Sequence, residues 1–208
     1  MDKKDLIERT FDGINERFDF VTLRNFELIP HDSSRANDID IIIRKGDKEE
    51  YSKYMTSLGY SLSYDSESYI YEAESHIHCV NPSLDVHFDT VTGLYYRSLS
   101  DMNLFVGGFK ELEDSLFDNK LSVNKCYKYI PSPEDLLTHL CCHCIFDKRN
   151  VPQKYQNSIN NLFLDCNEPK LDSLFKLAFH KASSYLISLI KEGEVGSLYL
   201  KYIGYQDY

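Results

Sequence analysis

The sequence has little positive charge and no long hydrophobic run. Lys and Arg number 23 against 33 Asp and Glu, which gives a formal net charge of −10 at pH 7. No basic stripe is present, which argues against a long nucleic acid as substrate, because such binding depends on neutralising phosphates. No stretch approaches the roughly 20 apolar residues of a membrane span, and the N-terminus lacks the apolar core of a signal peptide. We therefore expect a cytoplasmic protein that acts on a small molecule.

Several catalytic patterns are also missing. The sequence contains no Gly-rich phosphate loop, no Ser-His-Asp order and no Rossmann fingerprint. Its six cysteines do not have the spacing of a secreted disulfide framework, and three of them crowd one helical turn, at Cys141, Cys142 and Cys144. His139 and His143 in that turn have the i, i+4 spacing of a zinc pair, but the apolar stripe around them favours core or structural histidines.

The order of predicted elements changes near the middle of the chain. With 208 residues, 42 % of them hydrophobic, the chain is long enough to bury a real core as one domain or two small ones. Periodicity predicts strands at 18–24, 38–43, 60–64, 69–73, 76–80 and 84–90, with helices at 5–16 and 47–58. Later helices are predicted from Ser132, as N-cap, and at 154–164, 170–179 and 183–191. The predicted fold class is α/β (α+β), with a small mixed-sheet core over 1–108 and a mainly helical C-terminal domain over 109–208.

Two carboxylates lie one residue apart where an apolar run begins. Asp38 and Asp40 would point to the same face of a strand. Like charges held that way repel, and neither side chain gains a cap or a turn from the other. They are typical of a site for a hard cation such as Mg²⁺, which proteins hold with one or two carboxylates. In the alternative interpretation, Asp38 is a turn residue and Asp40 a solvated strand position.

A later segment, LDVHFD, contains another carboxylate set. Alternation places Asp85, His87 and Asp89 on one face of a strand. If this strand lies beside the first, Asp85 completes a cluster of three carboxylates, which can hold two ions that activate a hydroxyl and neutralise a triphosphate. His76 and His78 share a strand face, and each histidine either lines the site or has a structural role.

These segments together resemble a known family. LRNFELIP, DIDIII, LDVHFD and IPSPEDLLTHLCCHCIFDKRNVPQKY are similar to the uncharacterised nucleotidyltransferases of the DNA polymerase beta-like superfamily. Some members of that family are associated with surface-polysaccharide gene clusters. The resemblance spans roughly residues 18 to 165 and therefore most of the chain.

The resemblance implies roles for particular residues. Asp38 and Asp40 match the paired metal ligands, and Asp85 matches the third carboxylate, which also accepts the proton of the attacking hydroxyl. Arg24 and Asn25 occupy the turn that contacts nucleotide phosphates. The superfamily usually has Gly-Gly or Gly-Ser there, because a residue without a side chain lets the backbone approach phosphates closely. Here either Arg24 contacts phosphate through its guanidinium, or the donor is held in another way.

A small basic cluster lies between the predicted helices of the second half. It consists of Lys148, Arg149 and Lys154 in an otherwise acidic chain. By the same resemblance, Lys148 reaches the triphosphate. The alternative is that these are solvated charges that complement the dipole at a helix end.

The predicted function is an Mg²⁺- or Mn²⁺-dependent nucleotidyltransferase. It would move a nucleoside monophosphate from a nucleoside triphosphate to a small-molecule acceptor, such as a sugar or polysaccharide precursor, and release pyrophosphate. A phosphotransferase or kinase acting on a glycan precursor is one alternative, because Asp-x-Asp chemistry does not reveal which phosphorus is attacked. A catalytically inactive binding protein of the same fold is the other, since the glycine turn is missing.

Overall fold

The computed structural model describes residues 2–24, 26–31, 38–64 and 76–206. The strands are β1 (Phe20–Arg24), β2 (Ile39–Ile43), β3 (Ser61–Tyr64), β4 (Ile77–Asn81), β5 (Val86–Val91), β6 (Tyr96–Arg97), β7 (Phe105–Val106), β8 (Leu121–Ser122) and β9 (Tyr129–Ile130). The helices are α1 (Lys3–Arg17), α2 (Lys48–Ser57), α3 (Lys110–Asp118), α4 (Pro133–Cys142), α5 (Gln153–Asp165), α6 (Glu168–Phe179), α7 (Ser183–Lys191) and α8 (Leu198–Ile203). A π-helical segment, His143–Lys148, continues α4.

The main sheet has five strands in the order β1-β2-β5-β4-β3. β2 and β5 run parallel, whereas the other neighbouring pairs are antiparallel. The predicted fold class, a mixed sheet followed by helices, is confirmed. The predicted strand at 69–73 lies outside the described residues. Two short hairpins, β6–β7 and β8–β9, were not predicted.

The two faces of the sheet belong to different hydrophobic clusters. On one face, Phe20, Ile41 and Phe88 pack with apolar residues of α1 and α2. On the other face, Val21 and Ile42 pack with the helices that follow residue 109. The second half of the chain therefore covers part of the sheet directly, and the boundary expected after residue 108 stays a prediction.

Local signals explain where several helices begin and end. α1 begins with a capping box in which Asp2 and Asp5 each accept a backbone N–H from the other. Gly59, with φ of +85°, adopts the left-handed conformation that follows the end of α2. Ser132 caps α4 by accepting the N–H of Asp135, and Pro133 occupies the first helical position, as predicted.

Helix hydrophobicity and cysteine pairing complete the description of the fold. Across residues 2–24, 26–31, 38–64 and 76–206, no helix combines the length and the hydrophobicity that crossing a membrane requires. All six cysteines are free thiols, and Cys141, Cys142 and Cys144 are buried in the core.

Candidate active site

Three carboxylates meet on the face of the sheet that α1 and α2 do not cover. Asp40 lies in β2, and its partner in the parallel ladder with β5 is Asp89. Asp38 lies two residues before Asp40 and therefore on the same side. One carboxylate oxygen of each residue lies within 4.8 Å of the oxygens from the other two. Such a group of oxygen ligands suits a hard divalent cation.

The third carboxylate differs from the one that was expected. Asp85 precedes β5 in a turn, where its φ of +50° is a left-handed conformation that Asp tolerates. Its side chain is 63 % exposed and lies 3.0 Å from His87 Nε2. The two strands are neighbours, as predicted, but their register sets Asp89 beside Asp40, four residues or about 13 Å beyond Asp85. Among the predicted carboxylates the structure therefore brings Asp38 and Asp40 together, and Asp89 rather than Asp85 lies beside them.

Arg24, at the end of β1, binds Asp40 with two parallel hydrogen bonds. Its Nε and Nη2 atoms donate to the two oxygens of Asp40 at 2.8 Å each. An irregularity in the ladder between Thr22 and Arg24 sets Arg24 opposite Asp40. The side chains of the pair are only 19 % and 6 % exposed. The guanidinium expected to contact phosphates is thus committed to a carboxylate, while Asn25 lies outside the described residues.

The same guanidinium connects the sheet to the helices. Arg24 Nη1 lies 2.6 Å from His143 Nε2. Because a guanidinium only donates, Nε2 accepts, and the ring proton is on Nδ1, which donates to Asp147 Oδ2 at 2.9 Å. The other oxygen of Asp147 accepts the backbone N–H of Arg97 at 2.8 Å. A chain of hydrogen bonds therefore runs from Asp40 through Arg24 and His143 to Asp147.

His139 and His143 have different roles. His139 is half-buried in α4, where its Nδ1 lies 2.9 Å from the hydroxyl of Tyr96. It fits the structural role that was predicted for both histidines. His143 instead belongs to the π-helical segment together with Asp147, and such segments occur frequently at functional sites. The link from His143 to Arg24 makes it part of the site.

Burial and charge act against each other within this group. Burial raises the pKa of Asp40, and the neighbouring carboxylates raise it further, whereas Arg24 lowers it. Burial lowers the pKa of Arg24, but Asp40 outweighs that effect and keeps the guanidinium protonated. Burial also lowers the pKa of His143, and so does the charge of Arg24, which agrees with a neutral ring. Arg24 therefore stays charged and is hydrogen-bonded to an uncharged imidazole.

Asp89 has imidazole neighbours as well. His78, its partner in the ladder between β4 and β5, places Nδ1 3.2 Å from one carboxylate oxygen. His76 places Nε2 3.9 Å from the other oxygen. Burial raises the pKa of Asp89, but the adjacent histidines and Arg24 outweigh burial and leave this pKa below its ordinary value. Asp89 therefore faces carboxylates on one side and histidines on the other.

A cleft of about 480 Å³ lies over these groups. The three carboxylates and the histidines line it, and so do Lys148 and Lys154, whose side chains are exposed. Arg149 is oriented elsewhere, since it donates to the backbone carbonyls of Ser98 and Leu99. The cleft thus combines a carboxylate cluster with two exposed cationic side chains, including the predicted Lys148.

Comparison with known proteins gives the class. The sequence profile of a family described as uncharacterised nucleotidyltransferases matches residues 30–155. The match covers more than half of the chain, so the chain belongs to this family. A search among curated proteins finds no match.

A solved structure has a similar fold. The antibiotic-resistance factor ANT(2'')-Ia, whose solution structure reveals substrate-regulated conformation dynamics, aligns with 93 % of this chain and 98 % of its own. The TM-score is 0.51 and the sequence identity is 11 %. At that identity the likeness concerns the fold alone.

Proposed function

We propose that the chain is a metal-dependent nucleotidyltransferase that transfers a nucleoside monophosphate from a nucleoside triphosphate to a hydroxyl group of a small molecule. The observation that supports this most is the meeting of Asp38, Asp40 and Asp89 in a cleft that Lys148 and Lys154 also line. Family membership and fold agree with this class of reaction. The excess of negative charge favours a small acceptor over a nucleic acid.

The residues present suit Mg²⁺ or Mn²⁺. All three candidate ligands are carboxylates, which these ions prefer. Oδ1 of Asp89 is buried, and among the described residues no well-aligned donor bonds it, although His78 Nδ1 lies 3.2 Å away. Asp40 is bound to Arg24, but an ionised carboxylate has about four lone-pair sites, so this bond is compatible with coordination. When bound, the metal would neutralise charge on the triphosphate and favour ionisation of the attacking hydroxyl.

The chain's own residues would then bind and orient the reactants. Lys148 and Lys154 would bind phosphate oxygens by charge, and Arg24 would fix the orientation of Asp40. The acceptor oxygen forms a bond to the α-phosphorus, and the bond from that phosphorus to the oxygen bridging the β-phosphate breaks. Pyrophosphate leaves with the electron pair, and Asp89 takes the hydroxyl proton, the role first expected of Asp85. Charge placed in advance around the transferring group would supply most of the acceleration.

A second pocket adjoins this cleft. It has a volume of about 410 Å³ and shares Arg24 and Tyr155 with the cleft. Apolar side chains form much of its lining, among them Phe26, Ile130 and Leu136. It is therefore suited to the apolar face of a base or of a sugar-like acceptor. A small-molecule acceptor also agrees with the naming of the structural neighbour as an antibiotic-resistance factor.

The decisive experiment compares thermal unfolding midpoints with each of the four ribonucleoside triphosphates, with and without Mg²⁺. The variants are Asp38→Asn and Asp89→Asn, with Asp85→Asn as the matched control, since it makes the same chemical change in an exposed turn. A ligand at a hundredfold excess over its Kd stabilises the folded state by about 2.7 kcal/mol. We expect a metal-dependent increase in wild type and Asp85→Asn that is lost in Asp38→Asn and Asp89→Asn.

The other outcomes are informative too. Loss of the increase in Asp85→Asn with retention in Asp89→Asn would contradict the corrected cluster. No increase with any nucleotide would argue for a binding protein without nucleotide chemistry. With the nucleotide known, the product mass separates the reactions, because nucleotidyl transfer adds a nucleoside monophosphate and a kinase adds a phosphate alone.

A further inference from the structure

We propose that His76, His78 and Asp89 form a second metal site, which binds a transition-metal ion of the Zn²⁺ type. This site shares Asp89 with the carboxylate cluster but differs from it in ligand chemistry. The inference does not require the chain to transfer nucleotides, so it can be tested independently of the proposed function.

The geometry brings three ligand atoms together. One ligand atom from each residue lies within 4.8 Å of the other two. His78 Nδ1 is 3.2 Å from Oδ1 of Asp89, and His76 Nε2 is 3.9 Å from Oδ2 of the same carboxylate. A tetrahedral ion with bonds of about 2.0–2.1 Å separates neighbouring ligand atoms by about 3.3 Å. The two histidine nitrogens thus approach opposite oxygens of one carboxylate, and side-chain rotations that bring the three ligand atoms from within 4.8 Å to about 3.3 Å of one another would complete the site.

The surroundings both orient the ligands and leave them accessible. The ring of His76 lies edge-on to Tyr95, with centroids 5.0 Å apart, and also contacts Phe105. The side chains of His76, His78 and Asp89 are 22 %, 35 % and 16 % exposed, respectively. All three line the cleft, so an ion could enter from solvent. Three protein ligands with one side facing a cleft match the pattern of zinc sites that keep a position for water or substrate.

Ligand type distinguishes this site from the carboxylate cluster. Imidazole nitrogen suits Zn²⁺, Ni²⁺ and Co²⁺, whereas Mg²⁺ prefers carboxylate, carbonyl and water oxygens. An ion bound by two histidines should therefore persist in a large excess of Mg²⁺. An ion bound by Asp38 and Asp40 should be displaced.

The test is a Co²⁺ titration in millimolar Mg²⁺, followed by the visible absorbance of the Co²⁺ complex and then by displacement with Zn²⁺. His76→Ala and His78→Ala remove ligands. His87→Ala is the matched control, because His87 also pairs with an aspartate of the same sheet region, Asp85, at 3.0 Å. We expect one Co²⁺ ion per chain in wild type and in His87→Ala. Even the loss of a group that only orients a ligand typically weakens metal binding about 10- to 100-fold, so we expect at least about a tenfold loss in each ligand variant.

Asp38→Asn separates this proposal from the previous one. It should abolish the Mg²⁺-dependent stabilisation by nucleotide and leave Co²⁺ binding unchanged. Thermal midpoints without metal verify that each variant is folded. The proposal is overturned if wild type gives no Co²⁺ spectrum, if excess Mg²⁺ displaces Co²⁺, or if His76→Ala and His78→Ala bind it as tightly as His87→Ala.

Discussion

Replacing Arg24 by methionine tests whether its pair with Asp40 holds the site together. Arg24→Met keeps an unbranched side chain but removes the guanidinium. Asp40, whose side chain is only 6 % exposed, would then lose its charged partner while it stays buried. A buried charge that loses its partner typically costs about 3–5 kcal/mol of stability. For a chain of this length each kcal/mol changes the thermal midpoint by about 2–4 °C, so we expect a decrease of about 6–20 °C.

The chain offers a matched control in Arg44→Met. Arg44 also pairs with an aspartate, Asp19, at 2.9 Å, but the two side chains are 38 % and 43 % exposed. Exposed pairs contribute at most about 1 kcal/mol, and the stacking of Arg44 on Phe117 adds about as much again. Urea unfolding at neutral pH gives the free energy of unfolding of both variants. A loss in Arg24→Met no larger than that in Arg44→Met would refute the reasoning.

Two further predictions concern the rest of the fold. In Gly13→Ala the new Cβ would lie 2.2 Å from the hydroxyl oxygen of Tyr54, so we expect urea unfolding to show about 1–3 kcal/mol of destabilisation. Gly46→Ala is the control that we expect to be unaffected, because its Cβ would meet no described atom within 4 Å. Burial raises the pKa of Glu134, but a backbone N–H and Lys170 outweigh it and hold the pKa below its ordinary value. The stabilisation that ionised Glu134 contributes is therefore present above pH 4.5 and is lost as the pH falls below it. The difference in unfolding free energy between wild type and Glu134→Gln should thus shrink on acidification. A difference that stays constant would contradict this.

Local features of the sequence predicted most of the helices and the fold class. The Ser132-Pro133 start of α4 and the glycine after α2 are determined by neighbouring residues, so they can be recognised without tertiary information. The predicted helix at 183–191 coincides with α7, and the one at 170–179 lies within α6. The hairpins β6–β7 and β8–β9 were missed because each strand has only two residues, too few to show alternation.

The composition of the cluster could be predicted only in part, because it depends on strand register. Asp38 and Asp40 are recognisable from one strand alone. Asp85 and Asp89 fit the same alternation equally well, and the choice between them is made by the pairing of β2 with β5. The Asn81-Pro82 turn could have indicated that Asp85 lies outside the strand, because Asp85 follows that turn closely and ends it.

The partners of Arg24 could not be foreseen. The irregularity in β1 that sets Arg24 opposite Asp40 depends on pairing between strands. Its contact with His143 joins positions 119 residues apart in the chain. No local pattern encodes such a contact, and the apolar residues around His143 favoured a core position.

The division of the cleft between sheet and helices has a consequence for how such a protein can diversify. The clustered carboxylates, with His76 and His78, lie on or next to strands, whereas Lys148 and Lys154 lie on or next to helices of the second half. Substitutions at the two lysines can thus change which molecule is held without disturbing the carboxylates that we propose as cation ligands. The site is modular in this sense: the carboxylates on the sheet are suited to remain constant, and the lysines on the helical side are free to adapt to other bound molecules.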